Sequence, residues 1–483
     1  MMLPEDFVRQ MQSLLGDDAD AFLQAATQAD ASVSIRLNRR KASPLPFSDA
    51  SPLPFSDTTP VPFSDATPVP WCPYGYYLAE RPSFTLDPLF HAGAYYVQEA
   101  SSMFLWTAVQ KALRAMQAEN RPLKVLDLCA APGGKSTLLI DALLEGSVLV
   151  ANEIVHSRAN ILAENLTKWG YPNVIVTEAK PEDIDGTYDL ILTDVPCSGE
   201  GMFRKDAQAV SHWNLGNVDM CASRQREILE AIWPRLRPGG CLIYSTCTFN
   251  TAENEENVAW IAQQLGAEVL PVDTLSSLGK TQEELGIVSS LSSPSALHDK
   301  TLPVARFMFH KTRGEGLFMA LLQKSSEDAV SHSRQAKLSV KPCKMPETAV
   351  KMLCQAENYA CVEVSGHYHA MSPDVLSIYD AFAKRKLRMH MAGICLGEIK
   401  GKDFIPDAAL ALSLALRQEA VAVARIDKET ALSYLRREAI VPTADLSRGY
   451  AILQYEGQNL GWIKNLGNRA NNLYPNEWRI RNI

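Results

Sequence analysis

Two thiols and a carboxylate carry the chemistry most readily read from this chain. Asp194-Val-Pro-Cys197-Ser-Gly-Glu-Gly201 follows one predicted strand, Tyr188 to Asp194, and Ser245-Thr246-Cys247 follows another, Gly240 to Thr246. A cysteine is most often a small buried hydrophobe. Just past a strand end, among glycine and polar residues, it can instead ionise and attack. Two such thiols at the carboxyl edge of one sheet would face one cleft, at the edge where open α/β sheets bind ligands. Asn250, with Glu253 three residues on, signals a helix starting soon after Cys247, whose N-terminal dipole would favour a nearby thiolate. Ten cysteines are spread over 483 residues without a Cys-x-x-Cys pair, so neither a zinc knuckle nor a disulfide framework is expected and no metal site is assigned.

A second constellation lies upstream. Asp127 ends the strand Lys124 to Leu128 and the turn Cys129-Ala130-Ala131-Pro132-Gly133-Gly134-Lys135 opens a helix running to Leu144. Such a turn lets the backbone approach a ligand at a helix N-terminus. Glu153 ends the next strand, where this fold places a carboxylate on ribose hydroxyls. The turn lacks both GxGxxG and the GxxxxGK[ST] of a P-loop, so a nucleotide-like cofactor other than NAD or ATP is favoured.

The elements that hold these residues alternate. Strands at Ser147 to Asn152, Asn173 to Thr177 and Gly316 to Gln323 join those above, with helices at His156 to Trp169 and Arg224 to Leu236. This pattern implies a doubly wound α/β sheet, Rossmann-like, over about 93–324. Ahead of it, Val33, Ile35 and Leu37 alternate as in a half-buried strand, so residues 1–92 are expected to form a small α+β domain. That domain is interrupted by SPLPFSDA-type octads over 43–70, read as an extended, polyproline-like surface loop. Residues 325–390 are expected to hold a linker and a first C-terminal domain, and 391–483 a β-rich module. Strands are predicted at Tyr359 to Val364, Arg388 to Leu396, Tyr450 to Gln454 and Asn459 to Ile463, and a helix at Pro406 to Arg417.

The composition is that of a globular protein, with 46% hydrophobic and 21% charged residues. No run reaches the roughly 18–20 apolar residues of a membrane span, and Glu5 and Asp6 stand where a signal peptide would carry positive charge, so a cytoplasmic protein is expected. The net charge of −8 weakly repels phosphate, so any nucleic acid must be met by local basic surface. Candidates are Arg204 and Lys205, the cluster Lys384, Arg385, Lys386 and Arg388, and Arg469, Arg479 and Arg481. A solvated face is the bland alternative for each.

Several segments together resemble the Nop/Sun family of RNA cytosine-5 methyltransferases, and most closely its bacterial branch, which modifies small-subunit ribosomal RNA. They are AYYVQEASSM at 94–103, DLCAAPGGKST at 127–137, ANE at 151–153, DVPCSGEGMFRKD at 194–206 and YSTCTFNTAENEENV at 244–258. FIPDAALALSL at 404–414 and GWIKNLGNRANNLYP at 461–475 are similar to that branch's PUA-like RNA-binding region. The resemblance implies S-adenosylmethionine held by Cys129 to Lys135, with Glu153 on its ribose and Asp194 also at the cofactor. It implies Cys247 as nucleophile on cytosine C6, Cys197 assisting product release, and Asp194 bonded to the flipped base. The implied partner is ribosomal RNA or the small subunit, bound by a monomer. Methylation of another RNA such as tRNA, or noncatalytic assembly, stays open. The family often has an aspartate near the adenine where Lys180 aligns; whether Glu178, Asp183 or no residue replaces it stays open.

Overall fold

The computed structural model describes residues 2–28, 31–41, 63, 65–272, 281–289, 302–326, 338–442 and 446–481. At its centre β1 (Lys124–Asp127), β2 (Val148–Asn152), β3 (Val174–Glu178), β4 (Tyr188–Asp194) and β5 (Leu236–Thr246) run parallel in the order 3-2-1-4-5. β6 (Ala267–Leu270) and β7 (Ala305–Phe307) pair antiparallel with β8 (Leu317–Lys324), which lies antiparallel beside β5. β9 (Arg388–Ala392) closes the opposite edge against β3.

Helices cover both faces because the strand residues are apolar on both. Val125, Leu149 and Leu190 face α1 (Gly134–Ala142) and α2 (His156–Trp169), whereas Leu126, Val150 and Ile191 face α3 (Leu215–Ile232) and α4 (Glu255–Gln264). The strand order reverses between β1 and β4, which opens a crevice at their carboxyl ends. Among the described residues no helix is long and apolar enough to cross a membrane.

In the N-terminal region Val33–Leu37 is the predicted strand, flanked by Gly75–Leu78 and Tyr95–Val97 in an antiparallel sheet. Most of the octad repeat, at 42–62 and 64, lies outside the described residues. Its last unit is not loop: Thr67–Pro68 pairs with the Gly75–Leu78 strand and Val69 is fully buried. Proline is tolerated there because the strand is an edge. Helices Glu5–Leu15 and Ala19–Gln28 pack through Phe7 and Phe22 onto Phe203, Trp213 and Phe249 of the central α/β region.

Two small sheets follow the central α/β region. One holds Ala360–Val364, His367–Met371, Ile394–Lys400 and Asp403–Pro406; the other holds Ala422–Arg425, Gly449–Tyr455, Gln458–Asn465 and Ala470–Asn472. The strand predicted at Arg388 to Leu396 is broken at Gly393, whose φ of +63° turns the chain out of the central sheet and into the first small one. The expected division between 390 and 391 thus falls within β9. The helix predicted at Pro406 to Arg417 is limited to Ala408–Leu412, capped by Asp407; beyond it Leu414 donates its amide to Gly170.

Candidate active site

Register brings the two thiols together. Asp194 pairs with Ser245 across β4 and β5, and the Ser245 hydroxyl donates to Asp194 Oδ1, so the two strand ends are level. The loops beyond place Cys197 Sγ 3.2 Å from Cys247 Sγ, both thiols free and partly exposed. The Gly201 amide donates to the Cys247 carbonyl at 2.7 Å, and a β-carbon at Gly201 would lie 2.5 Å from that oxygen. Only glycine closes the loops this tightly.

Cys197 is pushed well above the ordinary thiol value, first by its hydrogen bond to the Cys247 sulfur, then by burial and the Cys247 and Glu253 charges. Lys135 reaches from the start of α1 to Asp194 Oδ2 at 2.8 Å. Burial lowers the affinity of Lys135 for its proton, but Asp194 and the nearby Cys247 outweigh it and hold the ammonium above its usual value. The centre therefore pairs a fixed cation with a carboxylate and a sulfur, beside a thiol that keeps its proton.

The turn predicted to hold a cofactor lies at the same edge. Ala131–Pro132 is a cis peptide and Gly133 has φ +112°. The loop carbonyls face outward: Ala131 O accepts from Arg158 at 3.0 Å, and Pro132 O from Asn165 at 2.8 Å and Tyr96 at 3.1 Å. Ala130 is tied to β2 by its amide, 2.8 Å from Asn152 O. Burial pushes the Cys129 thiol far up, and Asp127 is pushed up to about 7 for the same reason, although Ser136 donates to it. Glu153 accepts from the Val155 amide at 2.9 Å and pairs with Arg158 at 3.1 Å.

Two expectations change. Asn250 Oδ1 accepts from the Glu253 amide, the first half of a capping box, but the helix α4 begins only at Glu255, so Cys247 is not at a helix N-terminus. The Asn250 backbone amide goes to Glu200, and the Glu253 carboxylate instead receives Asn250 Nδ2 at 2.8 Å, the Ser198 amide at 3.0 Å and Gln225 at 2.7 Å, which ties the two thiol loops together. Arg204 is buried against Glu315 at 2.9 Å and the Gly314 carbonyl at 2.7 Å, with Lys205 also on Glu315 at 3.2 Å. Its guanidinium lies 4.3 Å from the Phe309 ring and is spent on structure, not phosphate. Of the candidates to replace the adenine-side aspartate, Glu178 meets His156, His390 and Arg388.

Sequence reasoning missed the supports. Glu200, wholly buried, accepts from the Phe249 amide at 2.6 Å, the Asn250 amide and side chain at 3.0 Å, and Trp213 Nε1 at 3.0 Å. Asn152 ties the ends of β1 and β3 together, donating to Leu128 O at 3.1 Å and accepting from the Ala179 amide at 3.0 Å. Gln225 donates to Pro196 O at 3.0 Å, and Tyr244 donates to Gln225 at 2.9 Å.

Comparison with known proteins places the chain among ribosomal RNA methyltransferases. Residues 113–323 match the family model described as 16S rRNA methyltransferase RsmB/F, 3–100 the N-terminal domain of 16S rRNA methyltransferase RsmF, and 421–480 the methyltransferase RsmF PUA domain. The chain is 30% identical to ribosomal RNA small subunit methyltransferase F of Enterobacter sp. (strain 638), over 99% of its own length and 96% of the relative's. It belongs to the ribosomal RNA small subunit methyltransferase F family. Its counterpart in Klebsiella pneumoniae (strain 342) is also 30% identical, over 98% of this chain and 96% of that one. A methyltransferase homolog from Pyrococcus horikoshii shares the fold with a TM-score of 0.50 and 25% identity, covering 66% of this chain and 95% of that one. Asp127, Glu153, Asp194, Cys197 and Cys247 all lie within the segment that matches the RsmB/F methyltransferase model. The second small sheet is the core of the segment that matches the PUA domain.

Proposed function

We propose that this chain transfers a methyl group from S-adenosylmethionine to C5 of a cytosine in 16S ribosomal RNA, with Cys247 as nucleophile and Cys197 assisting release. The observation that carries this is the thiol pair at 3.2 Å, level with Asp194 and Lys135. Neutral cytosine is a weak nucleophile at C5. Addition of the Cys247 thiolate at C6 moves the C5–C6 π pair onto an enamine carbon that can take a methyl group.

The donor set around the turn fits an amino-acid nucleoside. The first amides of α1, at Gly134 and Lys135, have no partner within the helix and suit a carboxylate, while Glu153 suits ribose hydroxyls. Bound S-adenosylmethionine supplies a methyl group made electrophilic by its sulfonium. Asp194 accepts from the exocyclic amine of a flipped cytosine, and Lys135 balances the charge beside it. Once the Cys247 sulfur is a neutral thioether, the largest cause holding up the Cys197 proton is gone. Cys197 then gives up its proton to solvent more readily and, as a thiolate, takes the C5 proton; the electron pair left at C5 reforms the C5–C6 double bond as the C6–S bond breaks and returns Cys247 as thiolate.

The test separates the thiols. Incubated with 16S ribosomal RNA and labelled cofactor, Cys247→Ala should lose both methyl transfer, by more than about a thousandfold, and the denaturant-stable RNA adduct. Cys197→Ala should accumulate that adduct. The opposite assignment of adduct to variant would overturn the reading, and label appearing in tRNA instead would move the substrate.

A further inference from the structure

The carboxyl edge carries a second acidic residue beside Glu153. Asn152 and Thr177 are partners across β2 and β3, so Glu153 and Glu178 stand level on one lip of the crevice. Glu178 Oε2 takes His156 Nδ1 at 2.8 Å and His390 Nε2 at 2.9 Å, with the Arg388 guanidinium 3.5 Å away. All three converge on one oxygen, leaving Oε1 without a hydrogen bond from any described residue and the side chain 21% exposed.

Two of the three come from β9, which belongs to the chain after the catalytic region. Its pairing with β3 slips between Met389 and Met391, so His390 sits in an irregularity that re-aims its side chain. His390 is 9% exposed, and it also lines a cleft of about 450 Å³ shared with Asp407 and Trp478. The donor types suggest a metal site, yet Arg388 already supplies a cation, 3.1 Å from His156 Nδ1.

We propose that His390 is a positioning residue for the nucleoside end of the cofactor: it pins Glu178 Oε2 so that Oε1 faces an adenosine amine or hydroxyl, and so couples cofactor affinity to the seating of β9. This rests on the cofactor reading above. The hydrogen bonds from His156 and His390 lower Glu178 to about 2, so it stays ionised throughout the working pH range.

The full chain is titrated calorimetrically with S-adenosylhomocysteine. His390→Ala and Glu178→Gln should each weaken binding about five- to tenfold, and the double variant no more than Glu178→Gln alone. In turnover, His390→Ala should raise KM for S-adenosylmethionine more than it lowers kcat, and His390→Gln should recover part of the loss by restoring a donor. Should His390→Ala not fold, His156→Ala, at an exposed position, tests the same oxygen. Binding within twofold of the parent, strictly additive losses, or stoichiometric zinc uptake abolished by His156→Ala would overturn the proposal while leaving the methyltransferase reading intact. Failure of the parent chain itself to bind S-adenosylhomocysteine would overturn both.

Discussion

Asp127 shows what a single buried carboxyl does to the molecule. It has no exposure, Ser136 satisfies Oδ2 at 2.7 Å, and Oδ1 has no partner among the described residues. Its folded pKa, about 7, lies above the ordinary 3.8, so the fold favours the protonated form. The penalty is absent below the unfolded value, grows as pH rises between the two, and is complete above the folded one. There it reaches on the order of 4 kcal/mol. Asp127→Asn should therefore stabilise the ligand-free protein more at pH 8 than at pH 5; a gap in Tm that does not widen with pH counts against this. Asp127, Asp194 and both thiols were legible because glycine, proline and strand ends frame them in the sequence. Glu200, Asn152 and Gln225 were not, since nothing local distinguishes a glutamate or amide that will be buried and bonded from one on the surface.

At the scale of elements, the helical pair at the N-terminus braces the loop that carries Cys247. Phe22 lies edge-on to Phe249 at 4.9 Å and stacks on Phe309 at 5.4 Å, and Phe249 is two residues beyond Cys247. Phe22→Ala removes that wall and should cost about 3–5 kcal/mol in denaturant unfolding. Because the loop loses its backing, single-turnover methyl transfer should slow more than cofactor binding weakens; equal effects on both would mean that the helices stabilise without positioning. The parallel strands were legible because their residues are apolar on both faces and their turns carry glycine or proline. Docking of these helices is a long-range contact that no periodicity encodes. The run Ala-Leu-Ala-Leu at 409–412 misled because it continues as Ser-Leu-Ala-Leu, which suits a buried strand or extended segment as well as a helix.

For the whole molecule the question is how a chain of net charge −8 holds a polyanion. Much of its basic surface is already committed: Arg388 to Glu178, Lys384 to Asp380 at 2.6 Å, Arg385 to Asp185 at 3.7 Å, and Arg204 to Glu315. An arginine already paired with a carboxylate must give up that partner before it gains a phosphate, so it adds little net affinity. Arg469, Arg479 and Arg481 are exposed and carry no ion pair among the described residues, and they border the sheet that matches the PUA domain. Affinity for RNA should therefore reside there, with the catalytic cleft supplying register more than attraction. Arg469→Ala and Arg479→Ala should each weaken ribosomal RNA binding and flatten the plot of log affinity against log salt by roughly 0.7 to 1. Arg385→Ala should leave that slope unchanged. Were Arg385→Ala to flatten it as much, the paired cluster beside β9 would be the phosphate surface, and RNA would approach from the edge where His390 meets Glu178.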